Sequence, residues 1–160
     1  MTRLALLRHA HAGDPERWDG LDAARPLSDK GRRQAERLGR HLRAVGDQSD
    51  VLIASPKLRA LQTAEIVAGL LGVRVATDDR LAGPLDLDVV DAILVDAGNP
   101  DGPVLVGHDP DFSELLGALL GLPGMAMRKG AFARVEIGRP LAYGRGELLV
   151  LLPPDFQLPA

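Results

Sequence analysis

Three short polar clusters in this chain carry residues able to do chemistry, and each follows an apolar run. Arg8-His9 comes directly after Leu4-Ala5-Leu6-Leu7. Ser55-Pro56, leading to Arg59, comes after Val51-Leu52-Ile53-Ala54. Gly107-His108-Asp109-Pro110 comes after Pro103 to Val106. Two arginines and two histidines form a donor set suited to a phosphate dianion. A guanidinium fork matches paired oxygens, and an unprotonated imidazole is a nucleophile toward phosphorus. Taken singly, His9 also reads as a buried structural histidine, and Arg8 and Arg59 as solvated charges. The case rests on their occurring together at the ends of apolar runs. Arg25, in Arg25-Pro26-Leu27-Ser28, is a further candidate contact for phosphate.

The elements that must position these residues can be read from the apolar pattern. Leu4 to Leu7 and Val51 to Ala54 read as buried strands. Ser28 is a candidate N-cap for a helix over Lys30 to Val45, where Ala35, Leu38, Leu42 and Val45 recur at helical steps and Gly46 ends the run. Its basic residues read as a solvated face. Ser55-Pro56 is expected to cap and open a second helix reaching about Leu71, stopped by Gly72. A short strand follows at Val73 to Ala76, a helix at Leu87 to Val95, a strand at Pro103 to Val106, and a helix from Pro110 to about Leu120. Ala131 to Ile137 and Glu147 to Leu152 read as neighbouring antiparallel strands, joined through turn residues Gly138 to Gly146. Alternating strands and helices predict an α/β fold: a three-layer sandwich, with a mostly parallel central sheet, helices on both faces and an antiparallel C-terminal portion. The carboxyl ends of its parallel strands share one edge, where ligands bind. All three clusters are therefore expected at one pocket, joined by the free amides of two helix N-termini.

Composition narrows the function classes. With 160 residues, a single domain over 1–160 is expected. One Trp, one Tyr and three Phe leave Leu, Val, Ile and Ala to fill the interior. A formal charge of −3 argues against nucleic acid as a partner, so any anion site must be local. The absence of cysteine excludes disulfides, thiolate metal sites and a cysteine nucleophile. No apolar run approaches the roughly 18 residues of a membrane span, and the N-terminus lacks the pattern of a signal peptide. A cytoplasmic protein with no membrane partner is the expectation; the oligomeric state is not readable.

Leu7-Arg8-His9-Ala10, Ser55-Pro56-Lys57-Leu58-Arg59-Ala60-Leu61-Gln62-Thr63-Ala64 and Val106-Gly107-His108-Asp109-Pro110 together resemble the three signature blocks of the histidine phosphatase superfamily, which has the phosphoglycerate mutase-like fold. The likeness runs in order from about residue 4 to 137. Within the superfamily the chain looks most like the small SixA-type phosphohistidine phosphatases. Its length, the segment Arg25-Pro26-Leu27-Ser28-Asp29-Lys30-Gly31, and Lys129-Gly130-Ala131 before a late strand carry that likeness. The resemblance implies that His9 is the nucleophile of a covalent phosphohistidine, with Arg8, Arg59 and His108 holding the phosphoryl oxygens. It implies neither metal nor other cofactor, since the arginines supply the cationic clamp. The implied partner is a phosphorylated protein of the histidine-phosphotransfer or phosphocarrier type.

The sequence departs from the mutase-like members at the general acid, a glutamate they carry between the second and third blocks. Residues 66–107 contain no glutamate here; Asp14 and Asp109 are the alternative candidates. An alkoxide leaving group gains about 10²–10⁴-fold from a positioned acid. The imidazole of a phosphohistidine needs less help, because its ring nitrogen can be protonated in advance. Only about 35 residues separate Gly72 from Gly107, which leaves little chain for a lid. Three other readings stand beside this one: a phosphatase of a small phosphate monoester, a metal-dependent hydrolase built on His9 and His11, and a non-catalytic phosphate-binding module.

Overall fold

The computed structural model describes residues 1–155. Thr2–Arg8 forms β1, and the chain then crosses a loop with two short 3₁₀ turns, Pro15–Arg17 and Asp22–Ala24. Helix α1 (Asp29–Ala44), strand β2 (Val51–Ala54), helix α2 (Leu58–Leu71) and strand β3 (Arg74–Thr77) follow. After a 3₁₀ turn at Asp79–Ala82 come α3 (Leu87–Asp96), β4 (Pro103–Gly107), α4 (Asp111–Leu120), β5 (Phe132–Ile137) and β6 (Glu147–Leu152). All six strands join one sheet in the order β3-β2-β4-β1-β5-β6. The pairs β1–β4, β2–β4 and β2–β3 are parallel, whereas β1–β5 and β5–β6 are antiparallel. The expected α/β architecture is present, antiparallel C-terminal portion included.

Burial on both faces accounts for the uninterrupted apolar strands. Leu4 and Leu6 of β1 enter a core shared with Val90, Ile93 and Leu94 of α3 and Phe112, Leu115, Leu116 and Leu119 of α4. Ala5 and Leu7, pointing the other way, enter a core with Ala35, Leu38 and Leu42 of α1 and Ala60, Ala64 and Val67 of α2. Strand periodicity of two thus divides four consecutive residues between two cores. Truncating a fully buried leucine here, Leu6→Ala for instance, would cost about 2–5 kcal/mol.

Local signals set most boundaries. Ser28 Oγ accepts from the Gly31 amide and starts α1, as its sequence position suggests. Gly72 and Gly121 take left-handed backbone after α2 and α4 and end both helices. One expectation fails. Ser55 does not cap α2, which begins three residues later behind Lys57 and has no side-chain cap. The Ser55 hydroxyl is committed to a tertiary contact instead. Among the described residues, no helix is long and apolar enough to cross a membrane.

Candidate functional site

Sheet order brings the three clusters together. β4 lies between β1 and β2, in register so that Leu7 and Ala54 both sit opposite Val106, and Arg8 opposite Gly107. The residues after each strand therefore leave the same edge side by side: His9 after β1, Ser55 after β2 and His108 after β4. The two imidazoles lie with ring centroids 5.3 Å apart, tilted by 53°. His9, Ser55, Arg59 and His108 are all buried, as is Arg25.

The backbone around His9 is held from several sides. Its amide donates to the Gly107 carbonyl, and the Gly130 amide, just before β5, lies 3.0 Å from the His9 carbonyl. The Ala10 amide donates to Thr63 Oγ1, whose hydroxyl donates in turn to the Arg59 carbonyl, tying the β1 end to α2. Gln62 accepts from the Leu27 amide and Gln34 from the His11 amide, so both fasten the loop that follows β1. Two glycines permit close approach. A Cβ on Gly31 would lie 1.9 Å from the His11 carbonyl oxygen, and one on Gly107 would lie 2.7 Å from the Phe112 ring. Alanine at Gly31 would push the His11 backbone, and alanine at Gly107 would press on the Phe112 ring.

His9 Nδ1 lies 2.7 Å from the Ala10 carbonyl oxygen. A carbonyl only accepts, so Nδ1 carries the proton and Nε2 keeps its lone pair. Burial, joined by the positive charges of Arg59, Arg8 and Lys129, pushes the His9 pKa down to about 4. His108 is pushed down to about 3, by burial first and then by His9 and Arg59. Both rings are therefore neutral at pH 7.

The cations are oriented by carboxylates and carbonyls. Arg8 Nη1 donates to the Met127 carbonyl and lies 3.2 Å from Asp109 Oδ2. Asp109 itself accepts from the Ser113 amide and hydroxyl in the first turn of α4. Arg59 reaches Asp22, with Nη1 on its carbonyl and Nη2 on its carboxylate. Arg25 donates Nη1 to the Ala12 carbonyl and Nε to Asp22, so it adjoins Arg59 through that shared carboxylate. Arg59 and Arg25 hold the Asp22 carboxyl below its ordinary pKa. Lys129 joins the same positive cluster; burial, then Arg8, Arg25 and Arg59, lower its pKa.

Three buried side-chain nitrogens here have no hydrogen-bond partner among the described residues: Arg8 Nε, Arg59 Nε and His108 Nδ1. Buried polar groups are otherwise nearly always paired. At the helix starts several amides are already bonded. Those of Phe112, Ser113 and Glu114 bond to His108 O, Asp109 Oδ1 and Pro110 O, and those of Ala60 and Leu61 to Lys57 O. His11 turns to other work, with Nδ1 2.6 Å from Ser28 Oγ. Among the described residues, no group of three or more His, Asp or Glu is arranged to hold a metal ion. The reading missed Asp22 and Lys129 as parts of this cluster. The Lys129-Gly130-Ala131 segment was a usable signal for the lysine, but an aspartate in a polar loop gives none.

Residues 4–83 match the family model of the histidine phosphatase superfamily (branch 1). An uncharacterised protein of Picosynechococcus sp. is 33% identical over 164 residues, which span 98% of this chain and 99% of that one. The "Probable phosphoglycerate mutase GpmB" of Salmonella paratyphi C is 26% identical over 184 residues, covering 87% of this chain and 84% of that protein. In structure the chain resembles the protein histidine phosphatase SixA complexed with tungstate. That match has a TM-score of 0.82 and 22% identity, and covers 96% of this chain and 97% of the other. With the family model over its N-terminal half and a full-length relative at one-third identity, this chain belongs to the histidine phosphatase superfamily.

Proposed function

We propose that the protein is a single-domain phosphatase that works through a phosphorylated His9, and that its substrate is a phosphohistidine carried on another protein. The observation that carries this reading is the set of unpaired buried nitrogens on Arg8, Arg59 and His108, grouped around a neutral imidazole with its Nε2 lone pair available. In the first step Nε2 attacks phosphorus, a new P–N bond forms and the donor's P–N bond breaks. The leaving imidazole keeps the bonding pair and carries a ring proton. Negative charge on the phosphoryl oxygens is met by Arg8 and Arg59, positioned in advance by Asp109 and Asp22. The Ala10 carbonyl, on Nδ1–H, favours the positive charge that His9 gains when phosphorylated. Water then attacks phosphorus, the His9 P–N bond breaks, and the pair returns to Nε2.

Three features favour a protein-borne phosphohistidine. No glutamate occurs in residues 66–107, where mutase-like members carry the acid. Asp109 is fully engaged by Ser113 and Arg8, and Asp14 caps a 3₁₀ turn. The segment between β3 and β4 is spent on a 3₁₀ turn and α3, whose Val90, Ile93 and Leu94 are buried in the core, so little is left to cover the site. A small phosphate ester is the second reading, and the likeness to a phosphoglycerate mutase favours it.

The test compares turnover of a phosphohistidine protein, a phosphosugar and a nitrophenyl phosphate by the wild type and His9→Ala. Acid-labile ³²P should appear on the wild type after rapid quenching. His9→Ala should lose that label and at least about 10⁴-fold of the rate. Equal kcat/KM on the phosphosugar and the phosphohistidine protein would exclude the preferred substrate. Failure to trap label on the wild type with a good substrate would exclude the covalent step.

A further inference from the structure

Ser55 stands at the end of β2 with no solvent exposure, and its Oγ is 2.8 Å from His108 Nε2. This contact resembles a buried serine satisfying a histidine, but the protons can be counted. The Lys57 amide already donates to Ser55 Oγ, at 3.3 Å. If His108 also donated from Nε2, that oxygen would accept twice and the hydroxyl proton would be buried without a named acceptor, which is costly. If the hydroxyl donates to Nε2, the hydroxyl is satisfied and the one unmet group of the pair among the described residues is Nδ1–H, where the other tautomer leaves both the hydroxyl proton and the Nδ1 lone pair unmet. His108 is neutral and has one ring proton to assign, and the second arrangement puts it on Nδ1. Nδ1 is the ring atom left without a partner among the described residues, as are Nε of Arg8 and Nε of Arg59. The two arginine nitrogens can only donate. Under this assignment the third nitrogen of the set donates too.

We propose that Ser55 is a positioning residue: by donating its hydroxyl proton to His108 Nε2 it fixes the Nδ1–H tautomer of that ring and makes His108 a donor to the transferring phosphoryl group. This rests on the phosphatase reading of the same site. The opposite tautomer would turn a lone pair toward phosphoryl oxygens and repel them. The two histidines then have the same tautomer for different ends. The Ala10 carbonyl fixes it in His9 and leaves Nε2 to attack; Ser55 fixes it in His108 and leaves Nδ1–H to bind.

Long-range ¹H–¹⁵N correlation on ligand-free protein with labelled histidine reads the tautomer directly, with the His108 ring assigned by its loss in His108→Gln. The wild type should show Nδ1 protonated and Nε2 bare, a result that needs no Ser55 variant to fold. Ser55→Ala should shift His108 toward the Nε2–H form and weaken inorganic phosphate on the order of ten-fold, while Ser55→Thr should restore both. An Nε2–H ring in the wild type would overturn the proposal, as would unchanged phosphate affinity in a folded Ser55→Ala. A wild type with the Nδ1–H ring but no phosphatase turnover would refute the function while supporting the assignment of Ser55.

Discussion

Buried arginines occur at both ends of the sheet, and they are treated differently. Near the amino ends of the parallel strands, Arg134 puts Nη2 2.9 Å from both Asp47 oxygens and 2.7 Å from Ser49 Oγ, and Nη1 on the Arg3 carbonyl. One buried cation meets one part-buried carboxylate. At the carboxyl ends, Arg8, Arg25, Arg59 and Lys129 gather beside two neutral histidines, with Asp22 and Asp109 as the carboxylates they contact. Positive charge is left in excess there. A buried arginine is therefore not itself a functional sign. What separates the two ends is whether its charge is matched by the protein's own.

The widest separation should come from deleting one arginine at each end. Arg134→Ala leaves the part-buried Asp47 with Ser49 as its remaining donor and should cost about 1.5–3 kcal/mol of stability, read from urea unfolding, with kcat/KM nearly unchanged. Arg59→Ala removes a donor to the developing charge and should lower kcat/KM by about 10²–10³-fold, with much less loss of stability, because Asp22 is half exposed and can turn to water. If both variants lost stability alike and kept activity, the two ends would not differ in kind.

Acid should separate the ends next. His9 and His108 have folded pKa values of about 4 and about 3, below the ordinary 6.5, so the unfolded chain binds more protons as pH falls. Stability from these groups is fully present above about pH 6.5 and should fall below it, on the order of 1 kcal/mol per pH unit for each histidine. Phosphorylation of His9 should not fall at pH 6, because the ring stays neutral to about pH 4. Ring titration by NMR checks this, and a His9 midpoint near 6.5 would refute it.

The smallest effect tests the one carboxylate that grips Arg59. Asp22 occupies both terminal nitrogens of that guanidinium and would lie beside an incoming dianion. Asp22→Asn removes the competing charge and keeps the shape. Inorganic phosphate should inhibit a few-fold more tightly, roughly what an exposed charge pair of up to about 1 kcal/mol allows. Weaker inhibition would mean that the charge of Asp22, and not only its shape, is needed to hold Arg59 in place.

Much of this was legible in the sequence. Uninterrupted apolar strands specify burial on two faces, because a strand with both sides in water cannot afford them. Ser28, Gly46 and Gly72 act within a few residues of themselves, so helix ends could be read locally. Arg8-His9, Arg59 and His108 stood out because each follows such a strand and parallel strands share an edge. Only the tertiary structure decided what each polar group contacts. Ser55 reads as a helix cap and instead meets His108, 53 residues away. Asp22 looks like a loop aspartate and instead clasps Arg59, 37 residues away. Hydrogen bonds act over about 3 Å and carry no sequence signature when their partners come from different strands. Residue order therefore located the Arg8-His9 site, and the strand order β2-β4-β1 decided that Ser55 meets His108.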